Sequence, residues 1–585
     1  MRTPGGSGVP QFGRQFFGAE QTFTRVGSGS LGGKAAGLET IRQQILSGLD
    51  PGEFPRFEIV VPTLTVLTTE LFDAFMEQND LYPTALSDRP DERIAHAFQQ
   101  GVLPAKHVGD LRALIAKVHT PLAVRSSSLL EDALAHPFAG VYGTKMIPNN
   151  QIDVDVRFQR LVEAIKFVYA STFFRQAKSY IRSVGQDLTC EKMAVIVQEV
   201  IGQRRGDRFY PCISGVGRSY NYYPSGHACP EDGVVNLALG LGKQIVDGGL
   251  SWTYSPAYPK APPPVNNIGD LLKNTQTEFW AVHMGRPPLP DPIRETEYLV
   301  HLDLAAAEAD GALQHLVSTY DPQSDRLRPG LGAKGPRVLD FAPILSLGVV
   351  ALNDVLKRLL VLSQHAVGTA VEIEFALNIT RRPESPTRLG FLQLRPMMVS
   401  EEQVDVTPEE LLGKHVVLAS EQVLGNGSPQ GIRDVVFLKP GEFQAKYTRQ
   451  IAVELEEVNR AAVEAGRPYL LIGFGRWGSS DPWLGVPVEW GQINGARVIV
   501  EASLREMNPD LSQGSHFFHN LISSRVLYLS MKHQGRYKID WCWLDEQDTV
   551  METRFVRHIR LVSPLEIKVD GRHGRGVVKR NEKAQ

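Results

Sequence analysis

Four cysteines in 585 residues (Cys190, Cys212, Cys229 and Cys542) are too few and too widely spaced for a disulfide framework or a zinc site. None forms a C-x-x-C pair, so a reducing cytoplasm is the default location. No stretch approaches the ~18 consecutive apolar residues of a membrane-spanning helix. The opening MRTPGGSGVPQ lacks the basic-then-apolar order of a secretion signal and reads as a loose tail. Charge of one sign is also missing: 62 lysines and arginines face 65 aspartates and glutamates, for a net −3. That balance argues against attachment to nucleic acid by overall charge, so neither a nucleic-acid nor a membrane partner is expected. No heptad or solenoid period recurs. What remains is a soluble chain too long for one core, with roughly three or four domains expected.

The most organised stretch is 371–396, VEIEFALNITRRPESPTRLGFLQLRP. Two apolar runs of period two, 371–377 and 389–395, flank a Pro-, Ser- and Arg-rich turn, which predicts a β-hairpin. Alternation puts Glu372 and Glu374 on one face of the first strand, and Gln393 and Arg395 on one face of the second. Paired strands would bring carboxylates, an amide and a guanidinium together, a set suited to Mg²⁺ and phosphate. The alternative is an edge hairpin with a merely solvated polar face.

Upstream, VGSGSLGGKAAGLETIRQQIL (26–46) is a Gly/Ser loop running into a helix, with Lys34 among the free N–H groups at its start. The spacing is not that of a Walker A loop, and a surface lysine beside a cap reads equally well. The segment 58–76 predicts strand, proline break, strand, and a helix capped by Thr68 or Thr69. In PLAVRSSSLLEDALAHPFAGVYGTKM (121–146) a short strand delivers Arg125, three serines and an acidic pair, then a mobile FAGVYGT loop with Thr144. Arg125 can fork onto phosphate oxygens and Thr144 can close over them; a hydroxyl-rich turn with a structural arginine is the other reading. One long amphipathic helix is expected over 157–184. MAVIVQEV (193–200) is a buried strand whose exit, Gln198-Glu199-Val200, can offer backbone groups to a planar base or simply end a core strand. Arg218 precedes an aromatic run that reads as packing. The Pro-rich 255–297 reads as an insertion or surface excursion.

In order along the chain, GGKAAGL (32–38), VPTLTVLTT (61–69), AVRSSSLLED (123–132), FAGVYGT (138–144), VIVQEV (195–200), LGLGKQIVDGG (239–249), EIEFAL (372–377) and FLQLRP (391–396) resemble the nucleotide-binding half of the phosphoenolpyruvate synthase and pyruvate phosphate dikinase family. Rifampicin phosphotransferases and glucan water dikinases are among its relatives. The resemblance covers about residues 25–400 and implies an ATP-grasp fold that clamps ATP between two sheets. It implies that Lys34 and Arg125 hold the phosphates and that Gln198, Glu199 and Val200 form the adenine hinge. Glu374 and Gln393 would bind Mg²⁺, and Arg395 would meet the transferred phosphoryl group. Lys243 departs from the family pattern, which usually has glutamate there, and the Pro-rich insertion is atypical.

Only 185 residues follow position 400, too few for the ~250-residue barrel that binds pyruvate in full synthases and dikinases, together with a swivelling domain. The pyruvate half is therefore expected to be missing. Within the remainder, His516 follows Gly514-Ser515 at a probable helix start, as the family's phospho-accepting histidine follows a Gly-rich turn. A helix N-terminus favours a phosphoryl group on the ring, and neutral imidazole is nucleophilic. Phe517-Phe518 replaces the small residues that normally follow, and a structural histidine in a capped helix competes with the phosphoacceptor. Arg476, Trp477, Asp481 and Trp483 form a second polar and aromatic cluster, either a substrate site or a Gly-rich hairpin with stacked indoles.

The expectation is an α/β (α+β) chain. It has a flexible tail (1–24), an ATP-grasp domain (25–400, with the insertion 255–297), a smaller α/β domain resembling a divergent swivelling phosphohistidine domain (401–570) and a basic tail (571–585). Its function would be Mg²⁺- and ATP-dependent phosphoryl transfer to an unidentified acceptor, through His516 or directly. A non-catalytic ATP-sensing module, or a subunit working with a separate acceptor-domain protein, are the alternatives. A homodimer is compatible with all three.

Overall fold

The computed structural model describes the whole chain except residues 1–7, 15–21, 51, 130, 132–139, 184–185, 225, 262–267, 381–384, 398, 400–403, 480, 482, 505–516, 518–520, 522–523 and 582–585. The fold is mixed α/β, with helices and several mixed sheets. Two compact units are distinct. One takes in the chain as far as Ser219 together with Val234–Ile245 and Leu250–Pro396; the other takes in Tyr220–Gly233, Val246–Gly249 and the chain from Met397. Among the described residues no helix is long and apolar enough to cross a membrane.

The first unit holds two principal sheets. A five-stranded sheet runs in the order Phe23–Val26, Leu64–Leu67, Met193–Glu199, Leu122–Ser128, Thr144–Ile147. A six-stranded sheet runs Trp252–Tyr254, Val234–Ala238, Ile213–Arg218, Val371–Asn378, Thr387–Pro396, Phe57–Val60. The proline break at Pro62 divides its two strands between these sheets: Phe57–Val60 joins one and Leu64–Leu67 the other. Proline has no N–H to continue a ladder, so the chain changes partner there. The helix Leu352–Val367 buries Val355, Leu356 and Leu359 in the same apolar core as Ile373 and Phe375 of the six-stranded sheet.

The hairpin forms with the alternation intact. Glu372 stands opposite Arg395 and Glu374 opposite Gln393; the register then slips, so that Phe375 faces Phe391 and Leu392 is the extra residue of a bulge. Neither strand is at an edge, because Ile213–Arg218 flanks one and Phe57–Val60 the other. That position rules out the solvated-edge reading.

Four expectations need correction. The helix over 157–184 is two helices, Val154–Ser171 and Arg175–Ser183. At the break Phe173 turns into an aromatic cluster with Phe72 and Phe98, and burying that ring outweighs one more helical turn. The segment 255–297 is not an excursion throughout: Glu278–His283 is an interior strand between Leu299–Asp303 and Arg208–Tyr210, with Phe279, Ala281 and Val282 fully buried. The tail over 1–24 is anchored where it is described. Val9 and Phe12 are buried, Gln11 bridges Arg25, and a strand begins at Phe23.

The fourth correction concerns the second unit. Its seven-stranded sheet has four neighbouring parallel strands, Asp434–Leu438, Tyr469–Phe474, Ala496–Ala502 and Leu527–Met531. The helix Thr448–Glu464 makes the first crossover. A separate four-stranded sheet places Arg575–Lys579 between Val416–Ser420 and Glu566–Asp570. The supposed basic tail over 571–585 is therefore an interior strand through Lys579, with Val577 and Val578 fully buried. Its charges flank an apolar centre, and reading charge alone hid the strand. Ending the chain at Asp570 is expected to abolish the cooperative melting of this unit, because two strands lose the one that joins them. A truncated protein that melts like the full chain in calorimetry would refute this role.

Candidate functional site

The Gly/Ser loop is shaped by close approach. Gly32 has φ 77°, and a Cβ there would lie 1.7 Å from the carbonyl oxygen of Ser127. A Cβ on Gly33 would lie 1.6 Å from the carbonyl oxygen of Glu131. Only glycine admits these contacts between the loop and Ser127, at the end of the strand Leu122–Ser128, and Glu131 beyond it. The serine hydroxyls complete the join. Ser127 Oγ accepts from the Ala35 N–H (3.0 Å) and donates to the Leu31 carbonyl (2.8 Å). Thr68 and Thr69 do not cap their helix with their side chains; their hydroxyls accept from the N–H groups of Gly29 and Ser30. Lys34, in the first turn of the helix Gly33–Thr40, reaches Glu131 Oε1 at 2.8 Å and Ser126 Oγ at 3.2 Å. It is not a loose surface lysine.

Arg125 joins the two sheets. From the five-stranded sheet its Nη1 donates to Gln198 Oε1 (3.3 Å) and to the carbonyl oxygen of Leu392 (3.1 Å), while Nη2 donates to Gln393 Oε1 (2.8 Å). Its Nη2 also lies 3.6 Å from Glu374 Oε2. The Leu392 carbonyl belongs to the bulge residue, and a bulge leaves such a group outside the regular ladder. Arg395 lies 2.9 Å from Glu372 Oε1 through Nε and 2.9 Å from Glu374 Oε1 through Nη2. Glu372 also carries Arg218, whose Nε is 2.7 Å from Oε2. Lys34, Arg125, Arg218 and Arg395 thus face Glu131, Glu372 and Glu374, an arrangement with one more positive than negative group.

The remaining expected residues lie along the neighbouring strands. Thr144 is not in a loop; it opens the strand Thr144–Ile147 directly opposite Arg125. Gln198 is buried, and its Nε2 has no hydrogen-bond partner among the described residues. The N–H groups of Glu199 and Val200 already donate to the carbonyls of Thr63 and Pro121, each at 2.9 Å. A base at this exit therefore has to use other groups. Val200 packs beside Met146, Trp280, Phe209 and Leu241 in a small apolar cluster, which suits a planar ring. Lys243 opens a short helix, 3.8 Å from Glu295.

Two participants escaped the sequence reading: Arg218 and Glu131. For Arg218 the alternation was legible but its partner was not. Ser214, Val216 and Arg218 share one face of Ile213–Arg218, and that strand pairs with the hairpin so that Arg218 meets Glu372. Deducing this required the pairing, which sequence alternation does not supply.

In the second unit, His516 lies outside the described residues. Arg476 and Trp477 are buried, whereas Trp483 is 68% exposed, so the two indoles do not stack as one surface. Trp477 Nε1 donates to the Val500 carbonyl at 3.3 Å, and Asp481 Oδ1 accepts from the Trp483 N–H at 2.9 Å. Close to Arg476, near the carboxyl end of Ala496–Ala502, Glu501 is buried and accepts a hydrogen bond from the Tyr528 hydroxyl. Burial pushes its carboxyl up to about 7, against the opposing pull of Tyr528 and Arg476.

For a hard cation, Glu374 and Gln393 present a carboxylate and an amide oxygen from directly paired positions, a donor set that fits Mg²⁺. Elsewhere Asp405, Asp570 and His573 bring possible ligand atoms within 4.8 Å of one another. Asp570 is there engaged by His573 Nδ1 (2.7 Å) and the His573 N–H (3.1 Å), as in an ordinary turn.

The family model described as pyruvate phosphate dikinase, AMP/ATP-binding domain matches residues 28–414, more than half of the chain. A phosphoenolpyruvate synthase of Aeropyrum pernix is 29% identical over 240 residues, covering 37% of this chain and 25% of that protein. The match thus takes in about a quarter of that relative's length. The matched range contains Lys34, Arg125, Gln198, Glu374, Gln393 and Arg395. The chain belongs to the pyruvate phosphate dikinase AMP/ATP-binding domain family.

Proposed function

We propose that this protein is a Mg²⁺- and ATP-dependent phosphotransferase whose nucleotide site is built by Lys34, Arg125, Gln198, Glu374, Gln393 and Arg395. One observation carries the reading: Arg125, on one sheet, meets Gln393 and Glu374 on the other, with Arg395 beside them. Guanidinium groups fixed by neighbouring carboxylates and amides are pre-oriented to stabilise the charge of a phosphoryl transition state. Glu374 and Gln393 would hold Mg²⁺, which supplies charge neutralisation at the phosphate oxygens. The apolar cluster around Val200 would receive the base, and Thr144 the phosphates opposite Arg125.

His516 is the proposed relay in the second unit. Its ring nitrogen would form a bond to the β-phosphorus as the bond from that phosphorus to the α,β-bridging oxygen breaks, releasing AMP and leaving a pyrophosphoryl group on the ring. Water or inorganic phosphate would then take the γ-phosphoryl group, and the acceptor oxygen would bond to the remaining β-phosphorus as its bond to the imidazole breaks. Separately β- and γ-labelled ATP, given with Mg²⁺ to the wild type and to His516→Asn, tests both steps. The expected result is AMP with acid-labile label on the wild type alone. ADP formed at equal rates by both proteins would remove the relay, and failure of the wild type to bind ATP would remove the whole reading.

A further inference from the structure

A line of polar side chains crosses the six-stranded sheet behind Arg395. Thr253 Oγ1 accepts from Asn236 Nδ2 at 2.7 Å, with Ser251 Oγ 3.3 Å from the same nitrogen. Asn236 Oδ1 accepts from Arg218 Nη1 at 3.2 Å. Arg218 Nε holds one oxygen of Glu372 at 2.7 Å, and Arg395 Nε lies 2.9 Å from the other. The strand members come from five neighbouring strands, with Asn236 opposite Thr253 and Glu372 opposite both Arg218 and Arg395. Arg218 and Glu372 are each 1% exposed.

Two guanidinium groups around one buried carboxylate is an uncommon investment in charge. Hydrophobic side chains of similar size would fill the same space without the desolvation cost. The arrangement makes sense if the orientation of Arg395 matters. Arg395 has two carboxylate anchors, Glu372 and Glu374. If Glu374 turns to a cation, Glu372 is the one of the two that remains. Its rotamer then sets the plane of the Arg395 guanidinium, and Arg218 sets that rotamer. The second cation also draws on the shared carboxylate, so the field of Arg395 is not cancelled by a private ion pair.

We propose that Arg218 is a positioning residue for Arg395, acting through the shared carboxylate of Glu372. This rests on the reading of the site as a phosphoryl-transfer site. Arg218 touches no reacting atom. Its second nitrogen on Asn236 is what a lysine cannot reproduce, because an ammonium is a point charge and not a planar fork.

The test uses the full chain and MgATP. It compares wild type, Arg218→Met, Arg218→Lys, Arg395→Met and the double variant Arg218→Met/Glu372→Gln. Affinity is read by titration calorimetry, and the bound nucleotide by the ³¹P resonances of its β- and γ-phosphorus. In Arg218→Met the affinity should stay within about threefold of wild type while the phosphorus shifts move in the same sense as in Arg395→Met, and ATP consumption should fall roughly thirtyfold. Arg218→Lys should recover part of the shift. The double variant, relieved of a buried carboxylate that has lost one of its cations, should regain melting behaviour but not the wild-type shift. Wild-type phosphorus shifts in Arg218→Met, or in a well-folded double variant, would overturn the positioning role and leave the nucleotide site standing. No ³¹P change on adding MgATP to the wild type would overturn both, and it is recognised without any variant.

Discussion

Replacing Arg125 by methionine is expected to lower ATP turnover roughly 10²–10³-fold. The side chain donates to Gln198, to the Leu392 carbonyl and to Gln393, and so ties the two sheets of the first unit at the proposed site. Methionine fills much of the volume but leaves those acceptors without their donor, each at a cost of about 1–3 kcal/mol where buried. It also removes a positive group beside Glu374. Arg125→Lys should fall between the two, retaining charge without the fork. Calorimetric titration with MgATP and labelled-ATP turnover check the effect together. Wild-type affinity and turnover in Arg125→Met would show that the nucleotide lies elsewhere.

Changing Glu501 to glutamine is expected to make the second unit more stable at pH 8 by about 3 kcal/mol, given a carboxyl raised from 4.5 to about 7. The folded protein holds that proton more tightly than the unfolded chain does. Its contribution is therefore fully present below about pH 4.5 and is lost as the pH rises to about 7, above which the loss is constant. Glutamine can still accept from the Tyr528 hydroxyl and has no charge to bury. The difference in denaturation free energy between variant and wild type should be larger at pH 8 than at pH 5. Equal differences at the two pH values would mean that Glu501 is not held protonated by its surroundings.

How far the site could be read from the chain depends on the range of the forces involved. Alternation in 371–377 and 389–395 was enough to place Glu372 and Glu374 on one face and Gln393 and Arg395 on another. The observed pairing brings those faces together. The same reasoning missed the slip at Leu392, whose carbonyl became a ligand of Arg125. A bulge is a property of two strands in register, and neither strand announces it alone. Thr144 was assigned to a mobile loop because glycines precede it, yet it pairs with Arg125. The strands Glu278–His283 and Arg575–Lys579 were hidden by prolines on one side and by charges on the other, although their centres are apolar.

The sequence by itself determined the α/β class, the order of the motifs, the family, and which residue types could meet phosphate and metal. These follow from local periodicity and from side-chain chemistry, which act over a few residues. Only the tertiary structure decided that Arg125 crosses from one sheet to the other, that Lys34 is held by Glu131, and that Arg218 stands behind Arg395. Those contacts join Arg125 to Gln393, Lys34 to Glu131 and Arg218 to Glu372, residues 268, 97 and 154 positions apart. They exist because ladder register and the burial of apolar faces bring distant strands together, and the burial then requires each charge to find a partner.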